Sequence, residues 1–372
     1  MRFVHFADLH LDTPFTRLPP LAARTRRQAL RQTLEAIIEV ARRERADAIT
    51  CGGDLFEADR VSPDTLAWLR DRLGAAGCPV YVAPGNHDWV GPRTAWLTHD
   101  WPANVHVFLE ARLAPLELAP GLVLWGAGHD RPRGTADLLQ SLIRRPADSG
   151  ALNLALFHGS ERASFPIQGR DKEAHAPFDA ADLPRTGLAH ALLGHFHVPA
   201  DGPHHTYPGN PDPLQFGETG RRAALVVDVT PAGLTRRRVP VARSQVQEVS
   251  VSLDAAAHRD EALTRIRAAT TGLSGAVRLE LHGEVAAELD LDLACDLTPE
   301  ALGLLDSSDR AVVVDTTRLT WGLDRDVLRR EASVRGELVR RLEAADLPDQ
   351  ERQRVLHVGL RALAGRDDLE VV

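Results

Sequence analysis

The chain has 372 residues, of which 44% are hydrophobic and 26% are charged, values that are ordinary for a globular protein. This length predicts two domains, with or without a tail. The formal net charge of −8 argues against a protein that coats nucleic acid through bulk positive charge, although a local basic path on an acidic surface remains compatible with it.

The cysteines and the hydropathy of the chain argue against a disulfide-rich, membrane-spanning or secreted protein. Cys51, Cys78 and Cys295 are odd in number and far apart, with no CxxC pair. This spacing argues against a disulfide framework or a thiolate zinc site and favours buried free thiols. No stretch approaches the ~20 consecutive apolar residues that span a bilayer, and "MRFVHFADLH" lacks the apolar region of a signal peptide. We therefore expect a cytoplasmic protein that makes no use of the membrane.

Strands and helices alternate along the first part of the chain. The run "RFVHFA" predicts a strand, and "RTRRQALRQTLEAIIEVARRERA" has apolar residues at helical spacing. "DAITCGGD" predicts a second strand, and "SPDTLAWLRDRLGAAG" predicts a second helix with Ser62 as N-cap and Pro63 at its first position. "PVYVAPGNHD" repeats the pattern of an apolar strand that runs into a polar loop. Helices between parallel strands predict an α/β sheet that is buried on both faces.

Later strands have fewer helices between them, which suggests a mixed or second sheet. The patterns are "LVLWGAG", "ALNLALFHGS", "AHALLGHFH", "HTYPGNP" and "AALVVDVT". Around 235–247 the pattern changes, and "VQEVSVSL", "RDEALTRIRAATTG", "AVRLELHG" and "RAVVVDT" predict a smaller β/α unit. From about Asp324 the pattern is entirely helical. We therefore expect domains at 1–240 and 241–322, followed by a helical tail at 323–372.

Residues that can bind metal follow the strands of the first domain. Open α/β sheets bind ligands outside the carboxyl ends of their strands, so these side chains should meet at one rim. They are Asp8, His10, Asp54, Asn86, His158, His195 and His197. Glycines in "GGD", "PGN" and "LLGH" permit tight turns and close backbone approach. Because His195 and His197 are two residues apart on a predicted strand, both imidazoles should project together, with Phe196 directed into the core.

The predicted ligands combine oxygen and nitrogen donors without sulfur. Two Asp, one Asn and four His suit a pair of ions of the Mn, Fe or Zn class better than calcium, which prefers oxygen ligands. Such ion pairs lie about 3.5–4 Å apart and need a bridging ligand, for which a carboxylate is suited. Each motif by itself could be a turn or a satisfied core histidine. All five motifs occur in order, each at the end of a predicted strand, and together they favour a metal site.

The ordered motifs D-x-H, G-D, G-N-H-D, a lone H and G-H-x-H resemble the calcineurin-like metallophosphoesterase superfamily. Within it, "HFADLHLDTPF", "GGDLFE" and "YPGNPDPLQFGETG" resemble the DNA double-strand-break repair nucleases of the SbcD type, particularly a YhaO-like bacterial branch. These motifs cover residues 1–220. Beyond residue 240 the resemblance is limited to the order of the parts, a small domain followed by a helical tail.

The resemblance implies a four-layer α-β-β-α sandwich, a small α+β capping domain that binds DNA, and a helical tail. It also implies two divalent ions, with Mn as the expected metal and Fe, Zn or Mg as alternatives. One ion would be bound by Asp8, His10 and His197, the other by Asn86, His158 and His195, and both by Asp54. His87 would be the general acid or a phosphate-contacting residue, and Asp88 would orient it. One departure is Glu57, where the SbcD-type nucleases often carry His, so their handling of substrate near Asp54 is not carried over.

Two further features have alternative interpretations. The arginines of "TRRRV", Arg236, Arg237 and Arg238, stand at the predicted domain junction and are the preferred contacts for DNA phosphates, whereas solvated surface is the alternative for any single cluster in an arginine-rich chain. Apolar positions of the tail helices, such as Val334 and Leu338, would pack on the chain's own core. By the resemblance, they would instead dock an SMC-like ATPase of the SbcC or YhaN type.

The expected function is Mn-dependent exonuclease activity at DNA ends, with endonuclease activity also open, in a DNA repair complex of a homodimer with the ATPase. One alternative is a phosphodiesterase for nucleotides or other small phosphate compounds, which would share every metal ligand. Another is a mainly architectural subunit of the ATPase complex whose metal site is vestigial. The residues beyond 240 favour a macromolecular substrate.

Overall fold

The computed structural model describes residues 1–16, 18–144, 150–168, 173–230, 233–286, 289, 291–304, 311–322 and 325–363. The chain forms two compact units, Met1–Val246 and Gln247–Val372. The last residues of the predicted tail, 364–372, lie outside the described part. Every helix within that part is too short or too polar to span a bilayer.

The first unit contains twelve of the strands found in the described residues. Its elements are, in chain order, β1 (Arg2–Phe6), α1 (Pro20–Arg43), β2 (Ala48–Cys51), α2 (Pro63–Gly74), β3 (Val80–Val82), α3 (Ala95–Thr98), β4 (Val105–Val107), β5 (Ala114–Ala119), β6 (Leu122–Ala127), α4 (Gln140–Arg144), β7 (Leu152–His158), a 3-10 helix (Arg162–Ser164), α5 (Phe165–Gln168), a second 3-10 helix (Ala180–Thr186), β8 (His190–Gly194), β9 (Ala200–Asp201), β10 (His205–Tyr207), β11 (Ala223–Thr230) and β12 (Gly233–Pro240).

These strands form two six-stranded sheets. The first has the order β12-β11-β1-β2-β3-β4, and the second has the order β5-β6-β7-β8-β10-β9. Strands β1 to β4 run parallel to one another, as do β6, β7, β8 and β10. Each sheet is therefore mixed, with a parallel centre whose strands all end at the same edge.

Four layers follow from where the apolar side chains pack. Phe3 and Leu225 of the first sheet share a buried cluster with Leu156 and Leu192 of the second, so the sheets face each other. A second cluster joins α1 and α2 to the outer face of the first sheet. A third joins α4 and the 3-10 helix Ala180–Thr186 to the second sheet. The predicted α/β sandwich with two buried sheets is confirmed.

Helix α1 shows how the sequence pattern gives this packing. The apolar positions at helical spacing, Leu30, Leu34, Ile37, Ile38 and Ala41, are all buried. The helix begins at Pro20, four residues before the predicted start, because proline suits a first turn that leaves backbone N–H groups unpaired. In α2, the predicted Ser62 cap is confirmed, since its Oγ accepts a hydrogen bond of 3.1 Å from Thr65 N.

The second unit, within the described residues, has a three-stranded sheet and four helices longer than one turn. Its elements are β13 (Val246–Ser252, which begins at the last residue of the first unit), α6 (Arg259–Thr270), β14 (Ala276–Ala286), a one-turn helix α7 (Leu293–Asp296), β15 (Ala311–Gly322), α8 (Arg325–Arg330), α9 (Val334–Ala344) and α10 (Asp349–Leu363). The sheet order is β13-β14-β15, and Leu263 and Ile266 of α6 pack in its core. Leu328, Leu342 and Leu360 form a separate apolar cluster of α8, α9 and α10. The division of this unit at 322 stays a prediction.

Three local expectations differ from the structure. Strand β8 ends at Gly194, and His195 has a φ of 107°, so the two histidines of "GHFH" lie in the loop after the strand. The helix predicted from 324 is interrupted before α9, where Ser333 caps the new helix and its Oγ accepts from Gly336 N at 3.2 Å. The three cysteines are free, but only Cys51 is fully buried, and Cys295 is exposed.

Candidate metal centre

The loops after β1 and β2 hold three of the predicted ligands in an unusual backbone conformation. Asp8, His10 and Asp54 have φ values of 57°, 52° and 52°, in the left-handed region that non-glycine residues rarely adopt and that is often found at functional sites. The two loops are joined by backbone hydrogen bonds of 2.9 Å from Asp8 N to Gly53 O and from His10 N to Asp54 O. The conformation of each loop is thus fixed by the other.

Asp8, His10 and His197 bring their ligand atoms within 4.8 Å of one another. The Nδ1 atoms of His10 and His197 each lie 2.7 Å from a carboxylate oxygen, of Glu57 and Glu218 respectively. A carboxylate only accepts, so Nδ1 carries the proton in each ring and the Nε2 lone pair is left for the centre. His10 Nε2 is buried and makes no hydrogen bond to the described residues.

A second set consists of Asp8, Asp54 and His158, whose ligand atoms also lie within 4.8 Å of one another. His158 Nδ1 donates to Gly52 O at 2.9 Å, so its Nε2 faces Asn86 Oδ1 at 3.0 Å and Asp54 Oδ2 at 3.3 Å. Asp54 Oδ2 also lies 3.6 Å from His10 Nε2. The two sets therefore adjoin, and Asp54 stands between the histidines of both.

This convergence of donors fits divalent cations. A lone pair on Nε2 and two oxygen acceptors cannot satisfy one another, whereas a cation among them would satisfy all three. Without a bound cation, protonated imidazole rings supply the positive charge beside these oxygens. Burial lowers the pKa of His158, but the adjacent Asp54 raises it more, to about 9. Burial raises the pKa of Asp54, but its neighbours His158 and His10 lower it more, so that it lies well below its usual value.

His195 occupies the edge of this group. Its backbone N–H donates to both carboxylate oxygens of Asp8, at 3.0 and 3.1 Å. Its ring centroid lies 5.1 Å from that of His158 and 5.2 Å from that of His175. Phe196 is fully buried in the core, as expected from the sequence. The structure thus brings His195 to the centre, but it is not among the residues whose ligand atoms cluster most closely.

His87 stands at the open side of the centre. Its side chain is 45% exposed, and its Nδ1 lies 2.8 Å from Glu57 Oε2. Burial lowers the pKa of His87, but the hydrogen bond to Glu57 and the charge of Asp54 raise it to about 9. Burial raises the pKa of Glu57, and the hydrogen bonds from His10 and His87 lower it to about 2. One carboxylate therefore connects a predicted ligand with the predicted acid.

Asp88 has a different position from the one expected. Its Oδ1 accepts from Asp54 N at 2.9 Å and from Gly85 N at 2.6 Å, and its Oδ2 accepts from Leu55 N at 3.0 Å. The side chain is fully buried. The expectation that Asp88 orients the His87 ring is corrected here, because Glu57 makes that hydrogen bond while Asp88 holds the backbone of two loops.

Two glycines allow these loops to approach. A Cβ on Gly85 would overlap Asp54 Oδ1 and lie 2.7 Å from His158 Nδ1. Gly53 has a φ of 97°, and a Cβ there would lie 2.6 Å from Gly85 N. Gly53 is thus required by space and by conformation, and Gly85 is required by space.

Some residues of the centre were not anticipated from the sequence. Glu218 fixes His197 and also accepts from Leu214 N at 2.7 Å. His129 is buried behind His158, and its Nε2 donates to His158 O at 2.8 Å. Both partners are distant in sequence, so no local pattern indicates either contact.

The three arginines of "TRRRV" lie on β12, in the first unit. Among the described residues, Arg236 donates to Thr206 Oγ1 at 2.5 Å, Arg237 pairs with Glu44 at 2.7 Å, and Arg238 pairs with Asp201 at 2.5 Å. None of these bonds reaches a residue of the metal centre. Their role in binding DNA stays a prediction.

Comparison with known proteins gives a consistent picture. A family model described as calcineurin-like phosphoesterase matches residues 1–199. The chain is 32% identical over 247 residues to an uncharacterized metallophosphoesterase, YhaO, of Bacillus subtilis, a match that covers 62% of this chain and 58% of that protein.

Two further relatives are named for DNA repair or nuclease activity. The DNA double-strand break repair protein Mre11 of Methanopyrus kandleri is 27% identical over 266 residues, which cover 63% of this chain and 55% of that one. One of the subunits of the nuclease SbcCD of Bacillus subtilis is 24% identical over 270 residues, which cover 62% and 67%. The chain thus spans little more than half the length of YhaO and of this Mre11.

Proposed function

Because the chain belongs to the calcineurin-like phosphoesterase family, we propose that it is a two-metal nuclease that hydrolyses phosphodiester bonds at DNA ends. The observation that carries the two-metal part is the pair of adjoining ligand sets that share Asp8, one with His10 and His197 and the other with Asp54 and His158. The nuclease part is supported by the Mre11 and SbcCD relatives.

Two metal positions are proposed. The first metal position consists of Asp8, His10 and His197, the second metal position consists of Asn86, His158 and His195, and Asp54 belongs to both. When bound, two divalent cations, with Mn expected, would activate a water molecule and neutralise charge on the phosphate. The mixed nitrogen and oxygen donors suit Mn, Fe or Zn.

The residues of the chain would then position substrate and move a proton. His87 is partly exposed, and Glu57 holds its Nδ1, so its Nε2 is free to face a substrate. The hydrogen bond to Glu57 raises the pKa of His87 in the metal-free protein, and a ring that keeps its second proton would donate it from Nε2 to the leaving oxygen. Asp88 keeps the loops of Asp54 and Gly85 in place and does not contact the substrate in this scheme.

Incubation of the purified protein with Mn and end-labelled linear DNA tests the proposal. We expect progressive shortening from the ends, abolished in Asp54→Ala and reduced about 100-fold or more in His87→Ala, the scale of general acid catalysis. The nuclease proposal fails if the wild type leaves DNA intact or if Asp54→Ala cleaves equally well.

The same assay separates the two alternatives. Turnover of an aryl phosphodiester or a cyclic dinucleotide without DNA cleavage would indicate a phosphodiesterase for small compounds. No turnover of any substrate, in a protein that binds an ATPase, would indicate an architectural subunit.

We also propose that the chain acts as a homodimer with an SMC-like ATPase, which its similarity to one subunit of the nuclease SbcCD supports. Val334 of α9 and Val355 of α10, 69% and 44% exposed, are candidate contacts. Co-elution of the chain with such an ATPase in size-exclusion chromatography, weakened in Val334→Asp, is the expected result. Separate elution of the two proteins contradicts it.

A further inference from the structure

Three of the four histidines assigned to the two metal positions are supported from behind in two different ways. His10 and His197 donate from Nδ1 to the carboxylates of Glu57 and Glu218, both at 2.7 Å. His158 donates from Nδ1 to a neutral acceptor, the carbonyl of Gly52, at 2.9 Å. The two carboxylate-supported rings belong to the first metal position and the carbonyl-supported ring belongs to the second.

Both carboxylates are themselves fixed. Glu218 has a side chain that is 6% exposed, and its Oε2 accepts from Asn210 Nδ2 at 2.6 Å and from Leu214 N at 2.7 Å. Glu57 is 19% exposed, and its second oxygen is bonded to His87. Neither glutamate can rotate away without losing a second partner.

A carboxylate behind an imidazole changes its strength as a ligand. It fixes the tautomer, as a carbonyl does, but its negative charge also makes the ring more basic. In a buried site this charge is weakly screened, so it acts on an ion beyond the ring as well. The first metal position has two such charges behind its rings. In the second metal position, Asn86 has a neutral side chain and His158 has a neutral support.

We propose that Glu57 and Glu218 make the two metal positions unequal, so that the first metal position binds its ion more tightly and fills before the second. The two glutamates are positioning residues, since they act through His10 and His197. This inference rests on the proposed two-metal function, but it concerns binding and not cleavage.

Calorimetric titration of the metal-free full chain with Mn tests the inference. The wild type should bind two equivalents with separate affinities, and Asn86→Ala should weaken only the weaker one. Glu57→Gln should weaken the tighter one about 10-fold to 100-fold, the usual effect of losing such support. Glutamine can still accept from His10 Nδ1 and can donate to His87 Nδ1, so this variant removes the charge and keeps the geometry.

Glu218→Gln tests the second support and should weaken the same tight equivalent. Glu161→Gln is the matched control, because Glu161 is also a buried glutamate of the first unit but bonds to Ala163 N and Ser164 Oγ. Its titration should match that of the wild type. If Glu218→Gln unfolds, the result for Glu57→Gln decides.

Electron paramagnetic resonance gives an independent readout. The first equivalent of Mn should give the spectrum of an isolated ion, and coupling should begin only with the second. In Glu57→Gln the coupled spectrum should appear from the first addition.

The outcomes separate this inference from the proposed function. Two equivalents of equal affinity in the wild type, or glutamate variants that weaken the second step or neither, would overturn the inference and leave the two-metal function standing. Failure to bind Mn at all would overturn both.

Discussion

At the scale of single residues, the buried Asp88 shows how a side chain next to a proposed catalytic residue can have a structural task. It accepts hydrogen bonds from the backbone of Asp54, Leu55 and Gly85. Burial and the negative charge of Asp54 raise its pKa. Its three donors are the amides of the loops that carry Asp54 and Asn86, so the geometry of the centre depends on it.

Asp88→Ala should therefore destabilise the first unit. It leaves three backbone amides without an acceptor, and each unsatisfied buried group costs about 1–3 kcal/mol. Asp88→Asn should cost less, because its oxygen still accepts from two of them. Thermal unfolding followed by tryptophan fluorescence measures the effect. Asp100→Ala, at an exposed position of the first unit, is the control and should melt as the wild type does. Equal stability of Asp88→Ala and wild type would contradict the structural role.

The sequence indicates the proposed metal ligands much better than the residues that support them. Asp8 and Asp54 follow neighbouring parallel strands of one sheet, and the shared edge of such strands is a local rule that places them together. His158 ends a strand of the other sheet, so its approach depends on how the two sheets pack. Glu218 and His129 reach the centre through loops whose paths depend on the whole fold. Glu57 is an intermediate case: it lies only three residues after Asp54, but its two hydrogen bonds join it to His10 and His87 of two other loops.

At the scale of elements, the strands and helices predicted from a strong hydrophobic period are present in the structure. The residues at which they end are not always the predicted ones. Apolar periodicity specifies α1, whereas the end of β8 depends on the left-handed backbone of His195, which no pattern announces. The interruption between α8 and α9 depends on a single serine cap. Short strands such as β4 and β9 are stabilised by their neighbours in the sheet and have little pattern of their own.

His5 links two elements of different sheets. On β1, its Nδ1 accepts from Thr50 Oγ1 of β2 at 3.0 Å, and its Nε2 donates to Leu193 O of β8 at 3.1 Å. Burial lowers the pKa of His5 from 6.5 to about 4. As the pH falls below 6.5, the unfolded chain therefore binds a proton that the folded chain does not, and stability is lost down to about pH 4.

Between pH 7 and pH 5 this linkage should cost about 2 kcal/mol of the free energy of unfolding. Urea unfolding of the metal-free protein at the two pH values, with tryptophan fluorescence as the probe, measures it. His5→Gln should lose about 2 kcal/mol less than the wild type over this interval, whereas the exposed His99→Gln should behave as the wild type. Identical pH dependence in wild type and His5→Gln would show that His5 is not the linked group.

At the scale of the whole molecule, the acidic balance of charge determines where a polyanion can bind. A net charge of −8 repels DNA at long range, so the proposed binding of DNA must depend on bound cations and on a few local arginines. Many exposed arginines of the described chain are paired with acids, as Arg185 is with Asp182 at 2.6 Å. An arginine of such a pair can bind phosphate only by exchanging its carboxylate for the phosphate.

Arg237 on the edge strand β12 is suited to this exchange, since its side chain is 55% exposed and its partner is Glu44. If DNA passes here, Arg237→Ala should weaken binding and reduce the slope of log affinity against log salt by about 1. Glu44→Gln should strengthen binding, because it frees the guanidinium. Fluorescence anisotropy with a short duplex in chelator measures both. Arg185→Ala and Asp182→Asn form the matched control pair and should leave the affinity unchanged. If the Arg237 and Glu44 variants behave like the control pair, the DNA path does not include β12.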